Sequence, residues 1–428
     1  MAKPQISYRC IECGYRVPKP LGRCPNCGSW GSFEREAESI NIESTTTPAQ
    51  ITTLSQVDSS QEKRLSTGMT EFDRVLGGGL VAGAALLIGG EPGVGKSTLL
   101  LQLAANLLAA GKGVVYVAGE ESPRQVKIRA KRLGVTADLS LMRETRLDAV
   151  LAGLRQVKAD LVVVDSIQTL ESEGVPGSLV SVRNATQRLV RWAKQEGVTL
   201  ILVGHVTKEG TVAGPKVIEH VVDATLYLET AGMYRLLRSA KNRFGAVGEV
   251  GVFRMEDSGL AEVPNPSEAF LAERPQGVPG SVVGIALYGE RAIALEVQAL
   301  AARSPYSVPK RVSQGLDARR VDVVLAVLER RLGLKLGNLD VYVNLAGGLR
   351  VSDPGLDLAV ALAVYSAVVG KALNQRVAAV GEVGLAGEVR SASSLELRKK
   401  ESLRAGFDAF LGPAEVRNIK EAVREAMR

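Results

Sequence analysis

Gly90-Glu91-Pro92-Gly93-Val94-Gly95-Lys96-Ser97 matches the phosphate-binding pattern G-x-x-x-x-G-K-S without a gap, and its flanks are those the pattern needs. Ahead of it, Ala84-Ala85-Leu86-Leu87-Ile88 is a continuous apolar run that reads as a buried strand; behind it, residues 98–110 read as an apolar helix. A strand, a glycine-rich turn and a helix in that order aim backbone N–H groups and a helix N-terminus at one anion. The run from Gly90 to Thr98 is therefore expected to hold ATP. Lys96 should reach the β- and γ-phosphates. Ser97 should hold Mg²⁺ through its hydroxyl, because Mg²⁺ takes few protein ligands and fills its shell from phosphate oxygens and water.

Working outward, apolar strands at 85–88, 113–117, 161–164 and 200–203 alternate with helix-like stretches, which predicts an α/β domain with a mostly parallel sheet covered on both faces. Leu161-Val162-Val163-Val164-Asp165 is a buried strand ending in a carboxylate, and Asp165 suits a Walker-B aspartate that holds Mg²⁺ through water. The strand at 113–117 ends in Ala118-Gly119-Glu120-Glu121-Ser122. Placed at the tip of a strand next to the P-loop strand, Glu120 is the first choice for the general base that polarises the attacking water, with Glu121 second. Glu121 and Ser122 also precede Pro123 and a helical stretch, where a capping role competes. His205, at the end of the strand at 200–203, either senses the γ-phosphate or is a hydrogen-bonded structural residue. After it, a glycine-rich loop carrying Lys208 and Lys216 is a candidate DNA contact.

A chain of 428 residues exceeds one ordinary core, so several domains are expected. Residues 1–33 contain all four cysteines, as Cys10-x-x-Cys13 and Cys24-x-x-Cys27, each pair followed by glycine. Two such knuckles complete a closed tetrahedral thiolate shell for a structural zinc. Disulfide pairing is the competing reading, which a segment too small for its own core and a cytosolic redox poise disfavour. Residues 34–60 have a linker's composition, residues 61–268 form the ATPase domain, 269–279 a second linker among prolines, and 280–428 a further α+β domain. No run of about 18 apolar residues appears and the polar N-terminus does not read as a signal peptide, so a cytoplasmic location without membrane contact is expected. The net charge of +7 permits a polyanionic partner. Between Arg303 and Lys335 eight basic residues face three acids, and Lys310, Arg311, Arg319 and Arg320 become candidate DNA ligands, against the alternative of a solvated helix face.

The order of cysteine ribbon, P-loop, Lys241-Asn242-Arg243-Phe244-Gly245 and a C-terminal α+β domain resembles the bacterial RadA (Sms) family across essentially the whole chain. That resemblance implies a RecA/DnaB-like motor core and a Lon-protease-like C-terminal domain. It also implies a hexameric ring that extends heteroduplex on single-stranded DNA and branched recombination intermediates. A RecA-type recombinase or other repair protein is the partner it suggests for the zinc ribbon. In ring ATPases, cations such as Lys241 and Arg243 reach the neighbouring subunit's γ-phosphate, where charge develops in the transition state. Aligned with Lon proteases, Gly355 stands at the serine position and Glu396 at the lysine position, so neither nucleophile nor base remains for peptide hydrolysis. A KaiC-like signalling ATPase that binds protein partners without a DNA track is the rival reading.

Overall fold

The computed structural model describes residues 7–10, 15–19, 21–36, 53, 64–172, 178–205 and 218–428. They fall into two compact units, Met1–Ser59 and Ser60–Arg428. In the first, β1 (Ser7–Cys10) pairs antiparallel with β2 (Arg16–Val17) and β3 (Phe33–Glu36). The second cysteine pair sits on a tight knuckle, closed by the Gly28 amide on the Cys24 carbonyl at 2.9 Å and the Cys24 amide on the Ser29 carbonyl at 2.8 Å.

The second unit opens with α1 (Thr70–Leu76), β4 (Ala85–Gly90), α2 (Lys96–Ala109), β5 (Val114–Ala118), α3 (Pro123–Arg132) and β6 (Ser140–Met142). It continues through α4 (Leu147–Leu154), β7 (Leu161–Asp165), α5 (Leu179–Glu196) and β8 (Thr199–His205) to the strands β9 (Ala224–Ala231), β10 (Tyr234–Asn242), β11 (Val250–Glu256) and β12 (Gly259–Glu262). These nine strands form one sheet in the order β12-β11-β10-β9-β4-β8-β7-β5-β6. The six from β9 to β6 run parallel, and β10, β11 and β12 join as an antiparallel meander. Apolar layers cover both faces, one around Leu99, Leu103 and Phe253, the other around Val150, Leu189 and Leu202.

Two expectations are corrected here. β5 does not lie next to the P-loop strand: β4 is flanked by β8 and β9, and β7 separates β8 from β5. β4, β5 and β7 are equally apolar and equally buried, so nothing in their composition fixes lateral order. The sequence predicts a strand at 235–239 with Lys241 just beyond its end, but β10 runs to Asn242 through a register shift between Ser239 and Lys241, so Lys241 is a strand residue.

The C-terminal region comprises α6 (Pro266–Leu271), β13 (Ser281–Tyr288), β14 (Arg291–Arg303), β15 (Arg311–Gln314), α7 (Ala318–Val327), β16 (Leu339–Leu345) and α8 (Asp357–Val369). It ends with β17 (Val377–Ala379), β18 (Glu382–Val383), β19 (Val389–Arg390), α9 (Leu395–Arg404), β20 (Ala409–Leu411) and α10 (Ile419–Ala426). Its six-stranded sheet has the order β15-β16-β14-β13-β17-β20. Asn265 caps α6 through the Glu268 amide, and Pro266 occupies the first turn, where its missing N–H costs nothing. That helix crosses residue 268, and Phe270 packs edge-on to Tyr234 of β10 with ring centroids 4.5 Å apart. One apolar core takes Leu236, Val250 and Val252 from the ATPase sheet together with Val282, Ile293 and Leu358 from the C-terminal region. At the same seam Arg291 donates to the buried Glu71 carboxylate at 2.5 Å and to the Val250 carbonyl at 3.1 Å. No described helix is long and apolar enough to cross a membrane.

Candidate active site

The P-loop turns between β4 and α2 as its sequence requires. Gly90 has a φ of +156°, and a Cβ there would lie 2.5 Å from the Leu228 carbonyl oxygen, so only glycine lets β9 approach. Gly93, at φ +78°, meets nothing within 4 Å and is needed for its left-handed backbone alone. Arg235 of β10, which the motif does not reveal, donates through Nε to the Val94 carbonyl at 3.1 Å and pins the loop.

Lys96 points back into this loop. Its Nζ donates to the carbonyls of Gly90 (2.8 Å) and Glu91 (3.0 Å) and lies 3.3 Å from His205 Nδ1. Burial holds its ammonium below the usual lysine range, opposed by Asp165 and Glu120. A buried cation resting on carbonyl oxygens at the mouth of a helix N-terminus suits a phosphate group, and the residues present fit ATP. Asp165, buried at the end of β7, accepts a 2.5 Å hydrogen bond from Tyr116 Oη. Burial first, and Asp165 second, push the Tyr116 phenol well above its ordinary range, so it stays a donor.

Glu120 enters the cluster from β5, despite the two intervening strands, because His205 at the tip of β8 reaches across: Nε2 to Glu120 Oε1 is 2.9 Å. Ser166 Oγ also donates to that carboxylate. The His205 hydrogen bond is the main reason the Glu120 carboxyl is held down at about 2. A chain Lys96–His205–Glu120–Ser166 thus joins the P-loop to the end of β7. Glu121 is elsewhere, ion-paired with Arg129 of α3. Ser122 caps that helix in a reciprocal box with Gln125, so the competing capping role falls to Ser122.

Lys241 and Arg243 lie at the other end of the sheet. Asn242 pairs with Ala224, and Ala224 with Leu86 at the start of β4. The P-loop leaves after Gly90, four residues or about 13 Å further along the strand. Lys241 Nζ donates to the carbonyls of Glu219 and Val222, both at 2.7 Å, and burial holds its ammonium below the usual range. Arg243 is 59% exposed, 3.6 Å from the buried Asp223 carboxylate.

The residues aligned with a protease dyad are not brought together. Gly355 is buried, and a Cβ on it would lie 2.6 Å from Arg398 Nη1. Arg398, fully buried, binds both oxygens of Asp353 (2.6 and 3.1 Å) and the carbonyls of Ile285 (2.6 Å) and Ser393 (2.8 Å). Glu396 is exposed on α9.

The basic tract is likewise divided. Arg320 is bound to the buried Asp357 at 2.8 and 2.6 Å and to Glu382 at 3.1 Å. Arg311 donates to the carbonyls of Leu336 and Leu339, both at 2.8 Å, and Lys310 lies 4.8 Å from the centre of the Tyr306 ring. Arg319 is exposed on the first turn of α7. Lys208 and Lys216 lie outside the described residues, as does Cys13. The sulfurs of Cys10, Cys24 and Cys27 lie within 4.8 Å of one another, a grouping that fits a thiolate-bound zinc.

Three families match along the chain. They are described as a rubredoxin metal binding domain (residues 8–35), an AAA domain (51–211) and subunit ChlI of Mg-chelatase (317–416). The DNA repair protein RadA of Halalkalibacterium halodurans is 43% identical over 426 residues, covering 96% of this chain and 93% of that one. Its counterpart in Bacillus subtilis is 40% identical over the full length of both. Among solved structures, a KaiC-like protein from Pyrococcus horikoshii is 20% identical over 47% of this chain and 99% of its own, with a TM-score of 0.41.

Proposed function

The chain belongs to the RadA family of DNA repair proteins, and from that premise we propose that it is a DNA-stimulated ATPase. In this reading it assembles as a ring, moves on single-stranded DNA and drives branch migration of recombination intermediates.

 The ring is a hexamer in which each ATP site is completed by a cation from the adjacent subunit. Bound ATP and Mg²⁺ would supply the transferable phosphoryl group and the charge that offsets its oxygens. Lys96 would exchange the carbonyls of Gly90 and Glu91 for phosphate oxygens, while Ser97 and Asp165 hold the metal and Tyr116 keeps Asp165 oriented. Glu120, ionised throughout the neutral range, would take the proton of the attacking water. His205, touching both Lys96 and Glu120, would register whether Lys96 is on phosphate or on the loop.

One observation supports the ring reading: Arg243 is exposed at the end of the sheet away from its own P-loop, which suits contact with a neighbour's site. Gly355 at the serine position, with Arg398 filling the space beside it, and the exposed Glu396 at the lysine position support a C-terminal domain without protease activity. The test is ATP turnover with and without single-stranded DNA, for the wild-type chain and for Lys96→Ala. Turnover that rises with DNA and vanishes in the variant is expected. Turnover indifferent to DNA would favour the signalling reading, in which the ribbon binds protein partners and there is no track.

A further inference from the structure

Trp30 stands out in the first unit. It is 76% exposed, although an indole is among the largest apolar surfaces a chain can bury. It is also held in place. Trp30 bridges Arg23 across the second cysteine knuckle, and the Gly31 amide donates to the Gly22 carbonyl at 2.9 Å. Arg23 Nε donates to the Gly28 carbonyl at 3.0 Å, which sets its guanidinium 5.8 Å from the centre of the indole ring. Tyr15 and Leu21, at 44% and 45%, are exposed on the same small unit. Residues 1–36 carry Lys3, Arg9, Arg16, Lys19, Arg23 and Arg35 against Glu12, Glu34 and Glu36.

We propose that the ribbon binds single-stranded nucleic acid directly, with a base stacked on Trp30 and the adjacent phosphate on Arg23. A rigid, exposed aromatic face beside a cation is the arrangement that suits an unpaired base and its backbone, whatever the base sequence. The excess of cations over carboxylates within residues 1–36 favours a polyanion there. The proposal rests on the DNA-motor reading only for the nature of the track, and the ribbon would add a contact to it outside the ATPase domain.

The chain has two tryptophans, and Trp192 is buried in the ATPase core, so a change in indole emission on adding DNA reports on Trp30. The experiment titrates the full zinc-loaded chain with a thymidine 30-mer, following tryptophan emission and, in parallel, the polarisation of the labelled oligonucleotide. Wild-type emission should be quenched along the same curve as the polarisation. Trp30→Ala should bind about tenfold more weakly and Trp30→Phe should recover part of the loss, as expected for one stacked base. Zinc content of both variants checks that the knuckle persists, and should it be lost, the wild-type quench decides. Emission that stays unchanged while the chain binds the oligonucleotide, as a protein-docking surface would give, overturns the inference and leaves the motor reading standing. Absence of any binding overturns both.

Discussion

Glu120 is the residue whose environment makes the sharpest demand on experiment. A carboxyl held at about 2 by His205 keeps its charge at every pH above that value, and loses it only as pH falls through it. A base in that state gives no acid limb to the turnover profile near its ordinary value of 4.5. Removing the imidazole should raise the carboxyl toward that value, so His205→Ala should bring an acid limb up into the measurable range, and His205→Gln, which can still donate, should bring it up less. The pH profile of kcat/KM at constant ionic strength is the measurement, and identical profiles for all three proteins would show that His205 does not govern the base. At this scale, the place of Lys96 in the loop is legible because the motif fixes its spacing, and that of Asp165 because it ends an apolar strand. Tyr116 and Arg235 are not, because only strand register brings them to Asp165 and Val94. Arg398 is hidden for another reason: within Leu-Glu-Leu-Arg-Lys-Lys it reads as one more surface charge on an amphipathic helix, while its guanidinium is the largest fully buried side chain.

The strands of the ATPase sheet are legible as continuous apolar runs because both of their faces are covered, whereas their lateral order depends on crossovers that composition does not encode. In the C-terminal region β13, β14 and β16 are equally legible, but the basic tract is not, since which cations are free depends on where carboxylates and carbonyls end up. Arg320 and Arg319 should therefore separate. Arg320→Ala leaves the buried Asp357 carboxylate without its main partner and should lower thermal stability. Arg319→Ala should leave stability within about 0.5 kcal/mol and, if its helix end meets DNA, reduce the salt dependence of binding by about one unit of slope. A melting curve and a salt titration of each variant distinguish them, and an Arg320→Ala protein as stable as wild type would contradict the ion pair. Arg398→Met, which strands Asp353 beside Gly355, should cost about 3–5 kcal/mol in urea unfolding, against almost nothing for the exposed Glu396→Gln. Equal stability of the two would mean that the Asp353–Arg398 pair does not hold that turn.

At the scale of the molecule, the order of ribbon, ATPase and C-terminal region is legible, while the common core of the last two is not, because Leu236 and Val252 read equally well as interior residues of a self-contained sheet. The shared core and the Glu71–Arg291 pair join the ATPase sheet to the C-terminal region. Action between subunits is where the whole assembly becomes testable. Lys96→Ala lacks the phosphate cation of its own P-loop but keeps Arg243; Arg243→Ala keeps the P-loop and lacks the cation offered to a neighbour. Each alone should be inactive in DNA-stimulated turnover, for opposite reasons. In a randomly mixed ring at equal proportions, about a quarter of the interfaces pair an intact P-loop with an intact Arg243, whatever the number of subunits, because each interface is heterologous and draws one element from each side. Mixing the two inactive proteins should therefore restore a fraction of wild-type turnover of about that size, rising and falling with the product of their proportions. A cation acting within its own subunit can give no such recovery, since no chain in the mixture then carries both elements. Turnover that stays at the level of the parents after subunit exchange, verified with a wild-type and Lys96→Ala mixture, would place Arg243 outside the catalytic interface.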